Sequence, residues 1–395
     1  MKALNSQINL KVKNNTALPQ PVSMLSIVEN SSSANNNNNL YEFNLTGQSF
    51  VGITNISIGI SNTSNPTVVT YNAPLTSQNI IGVVNALNTL NQGFFSYSGT
   101  TIYVSSNYYI YSNISIAGVS IFGNTGTTPY GIIIDIAGNI YTANLGSSNV
   151  SKITPSGVSN ILGTTGFAPY GITIDSAGNI YTANSGDDNV SKITPSGVST
   201  ILGTTALVPY GITIDSAGNI YTANSSSNNV SKITPLGVST ILGTTGTNPY
   251  GITIDSVGNI YTANQGSNNV SKITPSGVST ILGTTGTNPY GITIDSAGNI
   301  YTTNINSNNV SKITPSGVST ILGTTGTNPL GITIDGAGNI YTANFNSNNV
   351  TKITALGVST IIGTTGTNPY GITIDGSGNI YTANSGSDNV TLIVQ

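Results

Sequence analysis

The stretch Pro169-Tyr-Gly-Ile-Thr-Ile-Asp-Ser-Ala-Gly-Asn-Ile-Tyr-Thr-Ala-Asn184 decides how this chain is read, because it keeps returning. Its leading proline recurs at Pro129, Pro169, Pro209, Pro249, Pro289, Pro329 and Pro369, forty residues apart each time. A strict period of this size marks units that stack or radiate, since one unit alone cannot bury its apolar face. Each unit carries four short strand candidates separated by turn chemistry. In the second copy they are Gly171–Asp175, Asn179–Asn184, Asn189–Thr194 and Val198–Leu202. Asp175-Ser-Ala-Gly178 and Thr194-Pro-Ser-Gly197 supply the turns: Asp first and Gly fourth in one, Pro second and Gly fourth in the other, as a type I turn favours. Four antiparallel strands per forty residues predict a propeller blade. Helical solenoids are excluded, because the Gly, Pro and β-branched content leaves no helical periodicity.

The number of copies predicts a closed ring of seven blades. The first-strand motif occurs at Ile132, Ile172, Ile212, Ile252, Ile292, Ile332 and Ile372, and the last copy ends after its third strand. The missing fourth strand has a counterpart ahead of the first copy, where Gly118-Val-Ser-Ile-Phe-Gly123 matches Gly197-Val-Ser-Thr-Ile-Leu-Gly203 with one deletion. Val119–Phe122 should therefore complete the seventh blade and leave no exposed ring edge.

These motifs, with Asn-Val-Ser-Lys-Ile-Thr between them, resemble the NHL-type blade, and especially the streptogramin-lyase (virginiamycin B lyase-like) branch of propellers, over residues 118–395. The sequence departs from that family's usual Asp after the second strand, placing Asn144, Asn184 and their equivalents there. The resemblance implies histidine-dependent acid–base or metal chemistry, yet the chain contains neither histidine nor cysteine. A general base would have to be a carboxylate or a perturbed lysine. The carboxylates nearly all occupy one repeated turn position, Asp135, Asp175, Asp215, Asp255, Asp295, Asp335 and Asp375, where capping is the simpler role. The third-strand lysines Lys152, Lys192, Lys232, Lys272, Lys312 and Lys352 read as solvated blade sides, with an anion ring as the rival reading. The expectation is a protein that is not an enzyme, with no cofactor and no metal site.

Residues 1–117 read as a small α+β attachment domain. Strands are expected at Ile8–Val12, Leu40–Leu45, Phe50–Ile60, Phe94–Tyr97, Thr101–Val104 and Tyr108–Ile116, and Ser31–Asn39 reads as a loop. One helix is expected, capped by Thr76 or Ser77, with Ile80, Val83, Val84, Leu87 and Leu90 at helical spacing before Gly93. Only 5% of the chain is charged, and the formal net charge is −3. No apolar run reaches the ~20 residues of a membrane helix, so no membrane insertion is expected. The few lysines and the lack of arginine argue against nucleic acid as a partner. Met1 to Val12 lacks the pattern of a secretory leader.

Strands that alternate up and down place the first-to-second and third-to-fourth turns on one face of the disc, and the second-to-third loops and blade connections on the other. The first face is nearly uniform in sequence. The second varies, and it carries Phe167, Leu207, Ile305 and Phe345, which either form a contact patch or reflect drift in loops. Tyr130, Tyr170, Tyr210, Tyr250, Tyr290 and Tyr370 open the inner strands on that face, with Leu330 breaking the set. They would serve either as stacking platforms for a glycan or as packing between blades. Low charge, Asn/Thr/Ser/Gly richness and a small β-rich leading domain are similar to bacteriophage virion appendages of spike or fibre type. That analogy implies virion proteins as partners of residues 1–117, a host-surface glycan or protein as receptor for the propeller, and multimeric assembly as a homo-oligomer. The competing expectation is a bacterial cell-surface or secreted adhesion protein.

Overall fold

A computed structural model describes residues 115–395 and, ahead of them, the backbone of seven strands. Those are β1 (Asn9–Leu10), β2 (Leu25–Glu29), β3 (Asn39–Asn44), β4 (Ile53–Asn62), β5 (Asn65–Asn72), β6 (Phe95–Ser98) and β7 (Thr101–Ser106); β8 (Ser115–Asn124) follows. By its contacts the chain divides into two compact units, residues 1–120 with 393–395 and residues 121–392.

In the first unit β1, β2, β3, β7 and β6 form a five-stranded sheet in that order. The expected hairpin around Ser98-Gly-Thr100 is present, with Phe95 opposite Val104 and Ser98 opposite Thr101. β4 pairs with β5 on one side and with residues 115–118 of β8 on the other. Strands β2 and β5 were not anticipated from the sequence. The expected helix across residues 76–93 lies outside the described residues, as does most of the Tyr108–Ile116 strand. Every regular element among the described residues is a strand, so none is a helix long and apolar enough to cross a membrane.

The second unit is a seven-bladed β-propeller. Blade 1 comprises Pro129–Ile134, Ile140–Asn144, Asn149–Ile153 and Ser159–Thr164, and five further blades repeat this antiparallel order. The seventh consists of Pro369–Ile374, Ile380–Asn384 and Asn389–Ile393, with β8 beside the last of these as its fourth strand. Thr125 N–H donates to Asp388 O at 2.9 Å, and the Phe122 ring packs edge-on to Tyr381 at 5.1 Å. The join between chain ends is thus made by the segment that the repeat alignment selected.

The outer strand begins one residue and ends two residues later than expected, at Ser199–Thr204 in the second blade, and leaves Val198 exposed in the turn. The turns explain the shift. Gly178 N–H donates to Asp175 O and Asp175 N–H to Asn179 O, both at 3.0 Å, and Gly178 has φ +82°. This is a type I turn closed by a glycine in the left-handed region, which lengthens the hairpin loop by one residue. The third-to-fourth turn is built the same way, with Gly197 at φ +88°.

The core lies between blades. Tyr181, Ala183 and Val190 of blade 2 pack with Ile212, Ile220 and Ile233 of blade 3, and the set recurs around the ring. The second strand of every blade is buried along its whole length because a neighbouring blade covers each side. The inner strands approach more closely still. A Cβ at Gly131 would sit 2.7 Å from Tyr170 O of the next blade, so the residue after each inner tyrosine is glycine.

Candidate functional site

The repeated carboxylate is a turn cap. Asp175 Oδ1 accepts from the N–H groups of Ala177 at 3.0 Å and Asn179 at 2.8 Å. Its Oδ2 accepts from Asn179 Nδ2 at 2.8 Å and from the Tyr181 hydroxyl at 2.9 Å. Burial alone would push the carboxyl up, but these four donors outweigh it and hold Asp175 below the usual carboxylate range. Burial, and then the same carboxylate, push the Tyr181 phenol far up. Lys192 Nζ stands 5.7 Å from the centroid of that tyrosine ring, and the arrangement recurs in six blades. The lysines therefore face aromatic rings toward the uniform face, within cation–π range.

Asn184, where the sequence departs from the family pattern, is fully buried at the other end of the second strand. It accepts from Thr182 Oγ1 at 2.9 Å and donates through Nδ2 to Asn189 Oδ1 at 2.7 Å and Ser191 Oγ at 2.8 Å. Ser191 Oγ also accepts the Gly166 N–H at 2.9 Å, tying the loop of the blade to the connection that precedes it. An amide both accepts and donates here, which an ionised carboxylate cannot do.

The second-to-third loops and the blade connections lie together. Ser185 N–H donates to Ala168 O at 2.9 Å, and Thr205 N–H to Asp188 O at 2.8 Å. Each blade holds two non-glycine residues in the left-handed region, one ending the loop and one preceding the proline, such as Asn268 at φ 53° and Asn248 at φ 51°. Asn and Asp tolerate that conformation best, and their recurrence at these positions was an unused sequence signal. Thr128 and Val208 adopt it as well, at φ 55° and 57°.

The inner tyrosines of neighbouring blades meet one another around the central channel. Tyr130 stacks on Tyr370 at 3.9 Å, Tyr170 leans on Tyr210 at 4.3 Å, and Tyr210 stacks on Tyr250 at 4.4 Å. The hydroxyls of Tyr170, Tyr290 and Tyr370 converge in mutual hydrogen-bonding contact. Burial pushes the Tyr250 phenol up to about 12 and those of Tyr170 and Tyr370 further. With Leu330 and the following glycines the rings line an open apolar pocket of about 150 Å³. Phe345 reaches the cluster edge-on, 6.1 Å from the Tyr370 ring. Ile305 is half-buried one blade earlier, whereas Phe167 and Leu207 stand 64% and 57% exposed in their connections. Among the described residues no three His, Cys, Asp or Glu side chains are grouped to hold a metal ion.

Residues 115–392 match the model of the virginiamycin B lyase family. The chain belongs to that family. It is similar to virginiamycin B lyase from Staphylococcus aureus at 22% identity, over 69% of this chain and 97% of that one, with a TM-score of 0.62. A streptogramin B lyase structure aligns at 20% identity, over 70% and 97% of the two chains, with a TM-score of 0.61. A third structure is a catalytically inactive histidine-to-alanine variant of the S. aureus lyase with quinupristin, at 22% identity, 69% and 96% coverage and a TM-score of 0.60. No curated protein matches the chain. Membership of a family named for a lyase overturns the expectation, drawn from the missing histidine and cysteine, that this chain is not an enzyme. The absence of those residue types limits which groups can move protons, and does not decide whether any does.

Proposed function

We propose that this chain is a virion appendage protein, of spike or fibre type, whose propeller recognises a host surface with its variable face. One observation carries the reading: the aromatic cluster at the channel, joined by Phe345, opens among the loops that differ between blades, while the opposite face repeats almost unchanged. Stacked tyrosines with an apolar pocket suit the faces of a neutral sugar or an apolar side chain. The scarcity of charge suits an assembled particle surface and contacts that do not depend on salt. Residues 1–117 would join other virion proteins. Finding the chain by mass spectrometry in purified particles supports this placement, and its absence there favours a bacterial surface or secreted adhesion protein. Exchanging Phe345 and Ile305 for Ser should abolish attachment to host cells, and unchanged attachment removes the recognition face from the proposal.

Family membership favours a second reading, a lyase acting on a compound such as the quinupristin present with the S. aureus relative. In this chain a carboxylate or a perturbed lysine would have to take the proton. Chromatography of quinupristin after incubation with the full chain tests it, and unaltered substrate counts against it.

A further inference from the structure

The sector joining blades 2 and 3 departs from the repeat at adjoining positions on the variable face. Where four of the connections end in Thr-Asn before proline, this sector has Phe167-Ala168 ahead of blade 2 and Leu207-Val208 ahead of blade 3. The loop between them reads Ser185-Gly-Asp-Asp188, where the others carry Ser at the third position and Ser, Asn or Asp at the fourth. That loop touches both connections. Asp187 Oδ2 accepts the Phe167 N–H at 2.6 Å, and Asp188 Oδ1 accepts the Val208 N–H at 2.7 Å. The Phe167 ring lies across Gly186, where a Cβ would collide with it.

The charge is surplus to the fold. The bond made by Asp187 is made elsewhere by neutral serines, Ser227 to Leu207 N–H at 2.9 Å and Ser307 to Thr287 N–H at 2.8 Å. The bond made by Asp188 is made by asparagines, Asn228 to Asn248 N–H and Asn268 to Asn288 N–H, both at 2.8 Å. One oxygen of each carboxylate suffices for that work. The apolar side chains are surplus too, since Phe167 and Leu207 remain largely exposed. Val208 in addition holds a β-branched residue at φ 57°, a strained choice where Asn serves four other blades. The lysines of the described residues all stand over tyrosine rings whose hydroxyls bind the turn carboxylates of the opposite face, so none neutralises this sector.

We propose that the strip Phe167–Asp187–Asp188–Leu207 is a docking site for a cationic, amphipathic polypeptide segment, one that offers apolar side chains to Phe167 and Leu207 and lysine or arginine to the two carboxylates. Charge complementarity selects this occupant: apolar contact area flanked only by anions favours a partner with interleaved cations and rejects an acidic one. The site rests on the reading of the variable face as the recognition side but is separate from the tyrosine cluster.

The repeat supplies the control variants, because its sister blades already fold with the replacement residues. A short fluorescein-labelled peptide alternating leucine and lysine should bind the full chain in an anisotropy titration, and a leucine–glutamate peptide should not. Phe167→Thr with Leu207→Thr should weaken binding by about tenfold or more, as expected on losing apolar anchors. Asp187→Ser with Asp188→Asn should weaken it similarly and flatten its salt dependence. Phe345→Ser should leave it unchanged. Equal binding of both peptides, or of wild type and either double variant, overturns the proposal, as does a strip that retains neutral oligosaccharides on a glycan array in place of the peptide. Host attachment is no part of this readout, so the test stands whether or not Phe345 proves to matter for it.

Discussion

Thr128 occupies the left-handed region at φ 55°, where Asn stands in four other blades. Relieving that backbone should stabilise the fold, so Thr128→Asn is expected to gain about 1 kcal/mol. Differential scanning calorimetry should show the midpoint rising by roughly 2 °C. Asn184 makes the opposite case. Its replacement by Ala strips three hydrogen bonds, two of them buried, and leaves the Thr182 hydroxyl without an acceptor, which should destabilise the chain by about 2–3 kcal/mol in urea unfolding. The role of the repeated aspartates is legible in the sequence, because Asp first and Gly fourth is turn chemistry. The asparagine network was not. Its partners lie on two strands and a connection, and the sequence offers no pattern that pairs Asn184 with Ser191 and Gly166.

At the scale of the strand, the outer edge of five blades carries a recurring defect. The hydroxyls of Ser199, Ser239, Ser279, Ser319 and Ser359 are buried without a hydrogen-bond partner. Each lies over the glycine of the preceding outer strand, as Ser239 does over Gly203. Ser239→Ala should therefore raise stability by about 1 kcal/mol, measured by the same urea titration, since it removes an unpaired polar atom and keeps the volume nearly constant. An unchanged or lower value would mean that the hydroxyl has a partner in solution. Strand existence was readable from alternating β-branched residues and turn punctuation. The later start and end of the outer strand were not, because they depend on glycines such as Gly197 entering the left-handed region rather than on which residues are apolar. The channel-facing tyrosines show a further limit: spacing places them on one face, but only the ring geometry decides that they touch each other.

For the whole molecule, repetition turns small local terms into a pH profile. In six blades, Asp135 to Asp335, hydrogen bonds outweigh burial and depress the carboxyl. That contribution is present above the unfolded value of about 4 and disappears as pH falls through the depressed folded values. The tyrosines bonded to them are shifted upward, so their share is complete below about pH 10 and disappears as pH rises beyond it. Thermal unfolding across pH should accordingly show a plateau with losses at both ends, and Asp255→Asn should shrink the acid-side loss. Seven blades and the head-to-tail join were legible from counting copies and finding the orphan fourth strand. Phe122→Ala tests the join: the side chain is 8% exposed against Tyr381, and its loss should lower stability by about 3 kcal/mol in urea unfolding.

That join also constrains how the protein is made. Synthesis runs from the amino end, so the strand that carries Phe122 leaves the ribosome about 270 residues ahead of its partner Asn389–Ile393. Six blades must assemble as an arc with one unfinished end before their last partner exists, so a nascent chain stalled anywhere ahead of residue 389 should stay protease-sensitive at its first repeat.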